Sequence, residues 1–81
     1  MMKLYVKIWC PWCVAAIDWL RKNDFEFEMI DVLADSKAFQ KMRDISGQSK
    51  TPTLELDDGS VLPDFDTKQL EKFLKQHSLL N

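Results

Sequence analysis

The chain is most constrained by the segment Cys10-Pro11-Trp12-Cys13, which contains its only two cysteines. The residues from Lys3 to Trp9 are rich in β-branched and aromatic side chains, which predicts a strand, and those from Pro11 to about Lys22 predict a helix. Pro11 suits the first helical position because its fixed φ matches a helix and its missing N–H would have no intrahelical partner. Cys10 therefore falls at the helix cap, and Cys13 lies one turn inside, close enough to form a disulfide.

The start of a helix makes a thiol more reactive. A cysteine reacts as its thiolate, and a helix N-terminus lowers the thiol pKa from about 8.5 by one to several units. The positive end of the helix dipole and the unpaired N–H groups of the first turn cause this lowering. Lys7 adds a positive charge three residues before Cys10. We therefore predict that Cys10 is the nucleophile and that Cys13 attacks the mixed disulfide that results.

Other uses of a cysteine pair fit this chain less well. A zinc site needs four ligands, and beyond the two cysteines the chain offers only a distant His77. A structural disulfide that closes so small a loop would remove little entropy from the unfolded chain. Two inert, buried cysteines are the remaining alternative, since free cysteine packs as a small hydrophobe. A C-x-x-C motif beside a βαβ pattern favours the redox interpretation.

Length and composition limit the class of protein. A chain of 81 residues predicts one domain, residues 1–81. An apolar fraction of 46%, a charged fraction of 30% and a net charge of −2 are typical of a globular protein. They argue against nucleic acid or an anionic membrane as the main partner. The N-terminus lacks the pattern of a signal peptide, so we expect a reducing, cytoplasmic location and no membrane association.

Side-chain periodicity predicts the faces of the first two elements. One face of the first strand is expected to carry Leu4, Val6 and Ile8, and the other Tyr5, Lys7 and Trp9. The inner stripe of the first helix is expected to contain Val14, Ile17 and Leu20. Asn23 is the expected left-handed C-cap of that helix.

The middle of the chain predicts a second strand, a second helix and a loop. Residues 25–29 alternate strictly between apolar and acidic side chains, which is typical of a strand with one solvated face. Asp35 or Ser36 caps a helix that runs through Ile45 and ends at Gly47. Residues 47–52 form a loop by composition.

The remaining signals predict a hairpin and a final helix. Asp58-Gly59 lies between two short apolar segments, which is a strong hairpin signal. The last helix opens at Asp66, and Gln69 completes a capping-box pattern. The order β-α-β-α-β-β-α begins with a right-handed parallel βαβ unit. The hairpin then adds antiparallel strands beside the first strand, which gives a four-stranded mixed sheet with helices on both faces.

This α/β plan resembles the thioredoxin-like fold, and nearly the whole chain resembles a glutaredoxin. Glutaredoxins typically contain Lys-x-x-Cys-Pro-Tyr-Cys, which residues 7–13 match with Trp12 in place of tyrosine. Their Thr-Gly-x-x-Thr-Val-Pro loop aligns without a gap with residues 46–52, where Ser46 and Lys50 stand in place of the threonines and Thr51 in place of valine. They also contain a Gly-Gly pair before the aspartate that caps the last helix. Here that aspartate is Asp66, and we align Leu62-Pro63 with the lost glycines.

The resemblance implies a set of binding residues for glutathione, the expected co-substrate. It implies that the Thr51–Pro52 bond is cis and that the Thr51 backbone pairs with an extended disulfide substrate. Lys7 would bind a glutathione carboxylate, and Asp66 with its helix N–H groups would receive the γ-glutamyl end. Trp12 and Phe65 complete this predicted set. No metal is expected.

Each of these residues also has a simpler interpretation. Lys7 could be a solvated strand lysine, and Asp66 is a helix cap whether or not it binds a ligand. Trp12 is expected at the rim of the site, and His77 at the edge of the core. Two residues of the second helix, Gln40 and Arg43, could reach a ligand carboxylate but are not assigned to the site.

The sequence and the resemblance support three alternative hypotheses for the function. The leading hypothesis is a monomeric glutathione-dependent oxidoreductase that reduces protein disulfides and glutathionylated proteins through Cys10 and Cys13. The second is a glutaredoxin-like electron donor that thioredoxin reductase reduces, which the lost glycine pair favours. The third, from a different class, is a binding module for an iron–sulfur cluster. Pro11 argues against it, because cluster-binding relatives usually have a smaller residue there.

Overall fold

The computed structural model describes all residues from 1 to 81 and has the predicted order of elements. The strands are β1 (Met2–Val6), β2 (Phe27–Asp31), β3 (Thr53–Glu55) and β4 (Val61–Pro63). The helices are α1 (Pro11–Lys22), α2 (Ser36–Ser46) and α3 (Thr67–Gln76). None of the three helices is both long and apolar enough to span a membrane.

The four strands form one mixed sheet in the order β2-β1-β3-β4. β1 is parallel to β2, with Leu4 opposite Met29, and antiparallel to β3, with Leu4 opposite Leu54. β3 and β4 form the predicted antiparallel hairpin. Gly59 in its turn has a φ of 90°, a left-handed conformation that suits glycine because it has no Cβ. Sheet order and strand directions confirm the predicted topology.

The core lies on both faces of the sheet. On one face, buried residues of β1 and β3 pack against α1 and α3, and the α1 contribution comes from Cys13, Ala16 and Leu20. On the other face, Tyr5 and Val32 pack against Met42 of α2. The alternation predicted for β1 is confirmed for Leu4 and Val6, which face one cluster, and for Tyr5, which faces the other. It does not extend to Ile8 and Trp9, which are exposed beyond the end of the strand.

Helix caps explain where the helices begin and end. Asp35 caps α2 by accepting hydrogen bonds from the N–H groups of Lys37 and Ala38 at 3.0 and 3.2 Å. Gly47 ends α2 in the left-handed conformation, with a φ of 69°. Asp66 and Gln69 form the predicted capping box at the start of α3, with hydrogen bonds of 2.8 and 2.9 Å.

Three local predictions in the first third of the chain are wrong. β1 ends at Val6, before Trp9, because the N–H of Cys10 donates to the carbonyl of Lys7 at 3.0 Å and closes a turn. In α1, Leu20 is buried and Ile17 packs against the core as predicted, but Val14 is exposed, and Cys13 and Ala16 complete the buried face instead. Asn23 has a φ of −98°, and its neighbour Asp24 is the residue with a positive φ, 60°.

Candidate active site

The turn between β1 and α1 places both cysteines at the N-terminus of α1. Cys10 is the N-cap residue of the helix, Pro11 is its first residue, and Cys13 lies in its first turn. Both sulfurs are free thiols. Cys10 is 7% exposed and Cys13 is fully buried in the core between the sheet and the helix. Only Cys10 is therefore open to a reaction partner.

Hydrogen bonds lower the pKa of the Cys10 thiol. Burial alone raises the pKa of this group, but donors around the sulfur outweigh burial and hold the pKa below its ordinary value. These donors are the backbone N–H groups of Cys13 and Trp12, the thiol of Cys13 and the hydroxyl of Thr51. Donors aimed at a charged form stabilise that form. The first turn of α1 therefore favours the Cys10 thiolate, as the sequence predicts.

The pKa of Cys13 moves in the opposite direction. Burial is the largest cause and raises the pKa of Cys13, because a buried thiolate loses its solvation. The hydroxyl of Thr51 and the backbone N–H of Lys7 oppose this effect only in part, and the neighbouring Cys10 sulfur adds to it. The fold thus separates the two thiols into a reactive one and a protonated one.

Thr51 lies directly against the reactive thiol. The sulfur of Cys10 is 3.9 Å from the carbonyl oxygen of Thr51, to which it donates a long hydrogen bond. The Thr51–Pro52 bond is cis, as the resemblance implies. Thr51 and Pro52 are both buried. Of the residues predicted for substrate binding, this pair lies beside the nucleophile.

A polar network that was not predicted from the sequence holds the loop that carries Thr51. The side chain of Gln48 donates to the hydroxyls of Ser46 at 2.9 Å and Thr53 at 3.1 Å. It also accepts from the N–H of Lys50 at 2.6 Å. Thr53 in turn donates to the carbonyl of Lys50 at 2.9 Å. One glutamine therefore joins the end of α2, the loop and the start of β3.

Lys7 lies beside the same loop but does not act on Cys10 as expected. Its ammonium donates to the carbonyl of Ser49 at 3.4 Å and lies 5.6 Å from the ring centre of Phe39. The lowered pKa of Cys10 comes from hydrogen bonds at the start of α1 and from Thr51. Lys7 is thus a fixed cation at the side of the site.

The largest cavity, of about 530 Å³, opens next to these contacts of Lys7. Gln40 and Arg43, which the sequence analysis left unassigned, line it together with Phe39 and Ser49. Arg43 and Asp44 both line the recess, and Lys7 lies beside it through its contacts with Ser49 and Phe39. An anionic group bound here would therefore meet two cations and one carboxylate.

A second, smaller recess of about 200 Å³ lies between α1 and the start of α3. It brings together three of the predicted binding residues, Trp12, Phe65 and Asp66, with Asp64 and Gln69. Trp12 is 64% exposed, so it is a rim residue, whereas Phe65 is 3% exposed and packs mainly into the core.

The segment aligned with the lost glycine pair ends next to a residue in the left-handed conformation. Leu62 and Pro63 belong to β4, where they pair with Leu54 and Thr53. Asp64 follows them and has a φ of 48°, the left-handed region in which glycine is the favoured residue. Asp64 is therefore the residue of this segment that a glycine would replace with the least backbone strain. Its carboxylate lies at the recess and 3.9 Å from the ammonium of Lys50.

A reactive helix-capping cysteine, a buried second cysteine and a cis-proline loop on this sheet define a thioredoxin-like protein. Comparison with known proteins gives the family. The sequence model of the family described as "Glutaredoxin" matches residues 2–61. The chain belongs to the glutaredoxin family. This membership indicates a thiol redox function.

Individual relatives agree with this assignment. An uncharacterized glutaredoxin-like 8.6 kDa protein in the rubredoxin operon of Clostridium pasteurianum is 29% identical over 76 residues, which are 94% of this chain and 100% of that protein. The crystal structure of the thioredoxin-like protein BC3987 has a TM-score of 0.81 and 28% identity, and covers 91% of this chain and 100% of its own. The solution structure of glutaredoxin from Brucella melitensis has a TM-score of 0.74 and 28% identity, and covers 98% and 86%.

Proposed function

We propose that this protein is a glutathione-dependent thiol–disulfide oxidoreductase that reduces protein disulfides and glutathione mixed disulfides. The observation that carries the proposal is the opposite pKa direction of two adjacent thiols, lowered for Cys10 and raised for Cys13. A nucleophile must be a thiolate, and the better leaving group is the thiol of lower pKa. Both requirements assign the first attack to Cys10.

The reaction has two exchange steps. The Cys10 thiolate attacks one sulfur of the substrate disulfide, forms a mixed disulfide and releases the other sulfur as a thiolate that takes up a proton. Cys13, after losing its proton, or a glutathione thiolate then attacks and releases the second substrate thiol. The substrate disulfide is reduced to two thiols. The oxidised product is a Cys10–Cys13 disulfide in the first case and a Cys10–glutathione disulfide in the second, which one further glutathione returns to the Cys10 thiol with release of glutathione disulfide. Two further glutathione molecules return a Cys10–Cys13 disulfide to the dithiol and leave as glutathione disulfide.

Charge and backbone groups around Cys10 support glutathione as the reductant. A cysteinyl residue joined to Cys10 would lie against the Thr51 backbone, which pairs with an extended substrate as an added strand does. Gln40 and Arg43 line the cavity on the α2 side together with Asp44, and Lys7 lies beside it on the carbonyl of Ser49. The cations of Lys7 and Arg43 would receive the glycyl carboxylate. The N–H groups at the start of α3 and the Asp66 side chain would receive the γ-glutamyl group.

One observation favours the second candidate, a dithiol that thioredoxin reductase reduces. The recess at α3 is lined by the carboxylates of Asp64 and Asp66. The γ-glutamyl carboxylate would lie close to both, and like charges at this distance disfavour binding. We therefore expect glutathione to bind weakly compared with a glutaredoxin that has a glycine in place of Asp64.

A coupled assay distinguishes the two reductants. The protein is given hydroxyethyl disulfide with glutathione, glutathione reductase and NADPH, or with thioredoxin reductase and NADPH. We expect turnover with glutathione that is lost in Cys10→Ser. Turnover with thioredoxin reductase alone would replace the proposal by the second candidate, and no turnover with either would overturn both.

A further inference from the structure

Large apolar side chains are exposed around the reactive thiol. Ile8, Trp9 and Trp12 are 64%, 67% and 64% exposed. We call these three residues the apolar rim. No charged residue occurs between Lys7 and Asp18, so the chain on both sides of Cys10 is uncharged.

Neither turn formation nor core packing explains the apolar side chains of Ile8 and Trp9 in the rim. Ile8 and Trp9 are the two central residues of the turn that the Cys10 N–H closes on the Lys7 carbonyl. Such positions usually carry Gly, Pro, Asn, Asp or Ser. Neither side chain belongs to a core cluster or packs against one. Exposed tryptophan is a large apolar area left in water, and such areas mark interaction sites.

The recessed position of Cys10 indicates which part of a substrate contacts the apolar rim. Because Cys10 is only 7% exposed, a substrate disulfide reaches its sulfur only by passing between the residues that flank Cys10 in this chain. Trp9 precedes Cys10, and Trp12 follows it by two positions. The residues next to a substrate cysteine therefore contact the rim whenever exchange occurs. A small disulfide has no such neighbouring residues and gains nothing from Ile8 or Trp9.

We propose that the apolar rim docks the residues that flank a disulfide in a protein substrate and thereby selects disulfides with apolar flanks. This inference rests on the proposed disulfide exchange at Cys10 and concerns the oxidised substrate rather than the reductant. Burying apolar surface between rim and substrate lowers the free energy of the complex and of the transition state for the first attack. The effect of apolar substrate flanks on the rate constant of the first attack should therefore depend on the presence of the rim side chains.

Single-turnover kinetics without glutathione test this selection. The protein is reduced with dithiothreitol, desalted and mixed with one of two peptide disulfides of equal length and net charge. One peptide has Leu and Val beside its cysteines and the other has Ser and Gly. Hydroxyethyl disulfide serves as the small reference substrate. Acid quenching and mass spectrometry measure the loss of each disulfide and the formation of the Cys10–Cys13 disulfide.

We expect the wild-type protein to reduce the apolar-flanked peptide at least about tenfold faster than the polar-flanked one. The double substitution Ile8→Ser, Trp9→Ser should reduce this ratio to below about threefold. Leu79→Ser is the matched control, because Leu79 is also exposed, at 46%, but follows α3 near the start of β1. It should keep the wild-type ratio. Reaction of the double variant with hydroxyethyl disulfide shows that its active site is intact.

Three outcomes would overturn the inference. The first is an equal ratio in the wild type and the double variant. The second is a dimer of the reduced wild-type protein in sedimentation velocity that the double variant does not form, because a second copy would then cover the rim. The third, no reaction of any disulfide, would overturn the proposed function as well. Failure of glutathione alone in the coupled assay leaves this experiment unaffected.

Discussion

The sulfur of Cys10 lies 3.9 Å from the carbonyl oxygen of Thr51, a residue 41 positions further along the chain. This contact joins the start of α1 to the loop before β3. The first turn of the helix and the hydroxyl of Thr51 both supply donors that stabilise the Cys10 thiolate. The reactivity of Cys10 therefore depends on two segments that are distant in the chain.

The first prediction concerns the difference between the two thiols. At pH 7, iodoacetamide should modify Cys10 at least about tenfold faster than Cys13, because only Cys10 is exposed and has a lowered pKa. Peptide mass spectrometry measures both rates in one sample. Cys10→Ser should lose all activity, whereas Cys13→Ser should still reduce glutathione mixed disulfides. Faster modification of Cys13 would reverse the assignment.

The second prediction concerns Gln48, which fixes the loop. Gln48→Ala removes three hydrogen bonds and should lower the free energy of unfolding by about 1–3 kcal/mol. It should also raise the pKa of Cys10, because the Thr51 hydroxyl no longer lies in place beside the sulfur. The pH dependence of iodoacetamide modification measures that pKa.

Gln76→Ala is the control for this prediction, since Gln76 is exposed at the end of α3. It should change neither the stability nor the modification profile. A folded Gln48→Ala protein with the wild-type profile would show that the network does not position Thr51.

The third prediction concerns Asp64. Asp64→Gly should raise the free energy of unfolding by about 0.5–1 kcal/mol, because glycine adopts a φ of 48° without the steric cost of a Cβ. The Lys50–Asp64 pair that is lost is exposed on both sides and contributes little. Glutathione should bind several-fold more tightly, since one carboxylate leaves the recess; calorimetric titration of the Cys13→Ser background measures this affinity.

Leu62→Gly provides the contrast for Asp64→Gly. Leu62 pairs with Leu54 in the hairpin and packs against the core. This substitution should therefore destabilise the protein by about 1–3 kcal/mol. If Leu62→Gly rather than Asp64→Gly tightens glutathione binding, our placement of the glycine-like position is wrong.

The fourth prediction concerns Tyr5, whose hydroxyl donates to Glu55 at 3.0 Å across β1 and β3. Burial, and then the nearby Glu55, raise the pKa of Tyr5 well above its ordinary value. Below about pH 10 the tyrosine is protonated in both the folded and the unfolded state. Above that pH only the unfolded state loses the proton, so the stability that Tyr5 contributes falls by up to about 1.4 kcal/mol per pH unit.

Urea denaturation between pH 8 and pH 11 checks this prediction. Tyr5→Phe should be about 1 kcal/mol less stable than the wild type at pH 8, because it lacks the hydrogen bond to Glu55. That difference in the free energy of unfolding should shrink above about pH 10, because only the wild type has a tyrosine at position 5 that ionises when the protein unfolds. Parallel stability curves for the two proteins up to pH 11 would contradict the prediction.

Features with a local cause could be predicted from the sequence. The caps at Asp35, Gly47 and Asp66 each depend on residues within one helical turn, and the bounds of α1 follow from Pro11 and the apolar pattern. Features with a tertiary cause were missed. The bonds of Gln48, for example, join α2 to β3. The end of β1 has a local cause but was also missed, because Ile8 and Trp9 occupy turn positions where Gly, Asn or Asp is usual. The left-handed Asp64 could be found only once β4 was located.

The separation of Cys10 and Thr51 along the chain also affects how the protein is made. The dithiol leaves the ribosome first, and the loop that completes its surroundings follows some 40 residues later, which takes several seconds at about 5–20 residues per second. During that time both thiols lack the sheet and the loop that bury them. In a growing chain the two thiols therefore have similar reactivity. The difference in pKa and exposure between Cys10 and Cys13 arises only when the C-terminal half has been synthesised and has folded onto them.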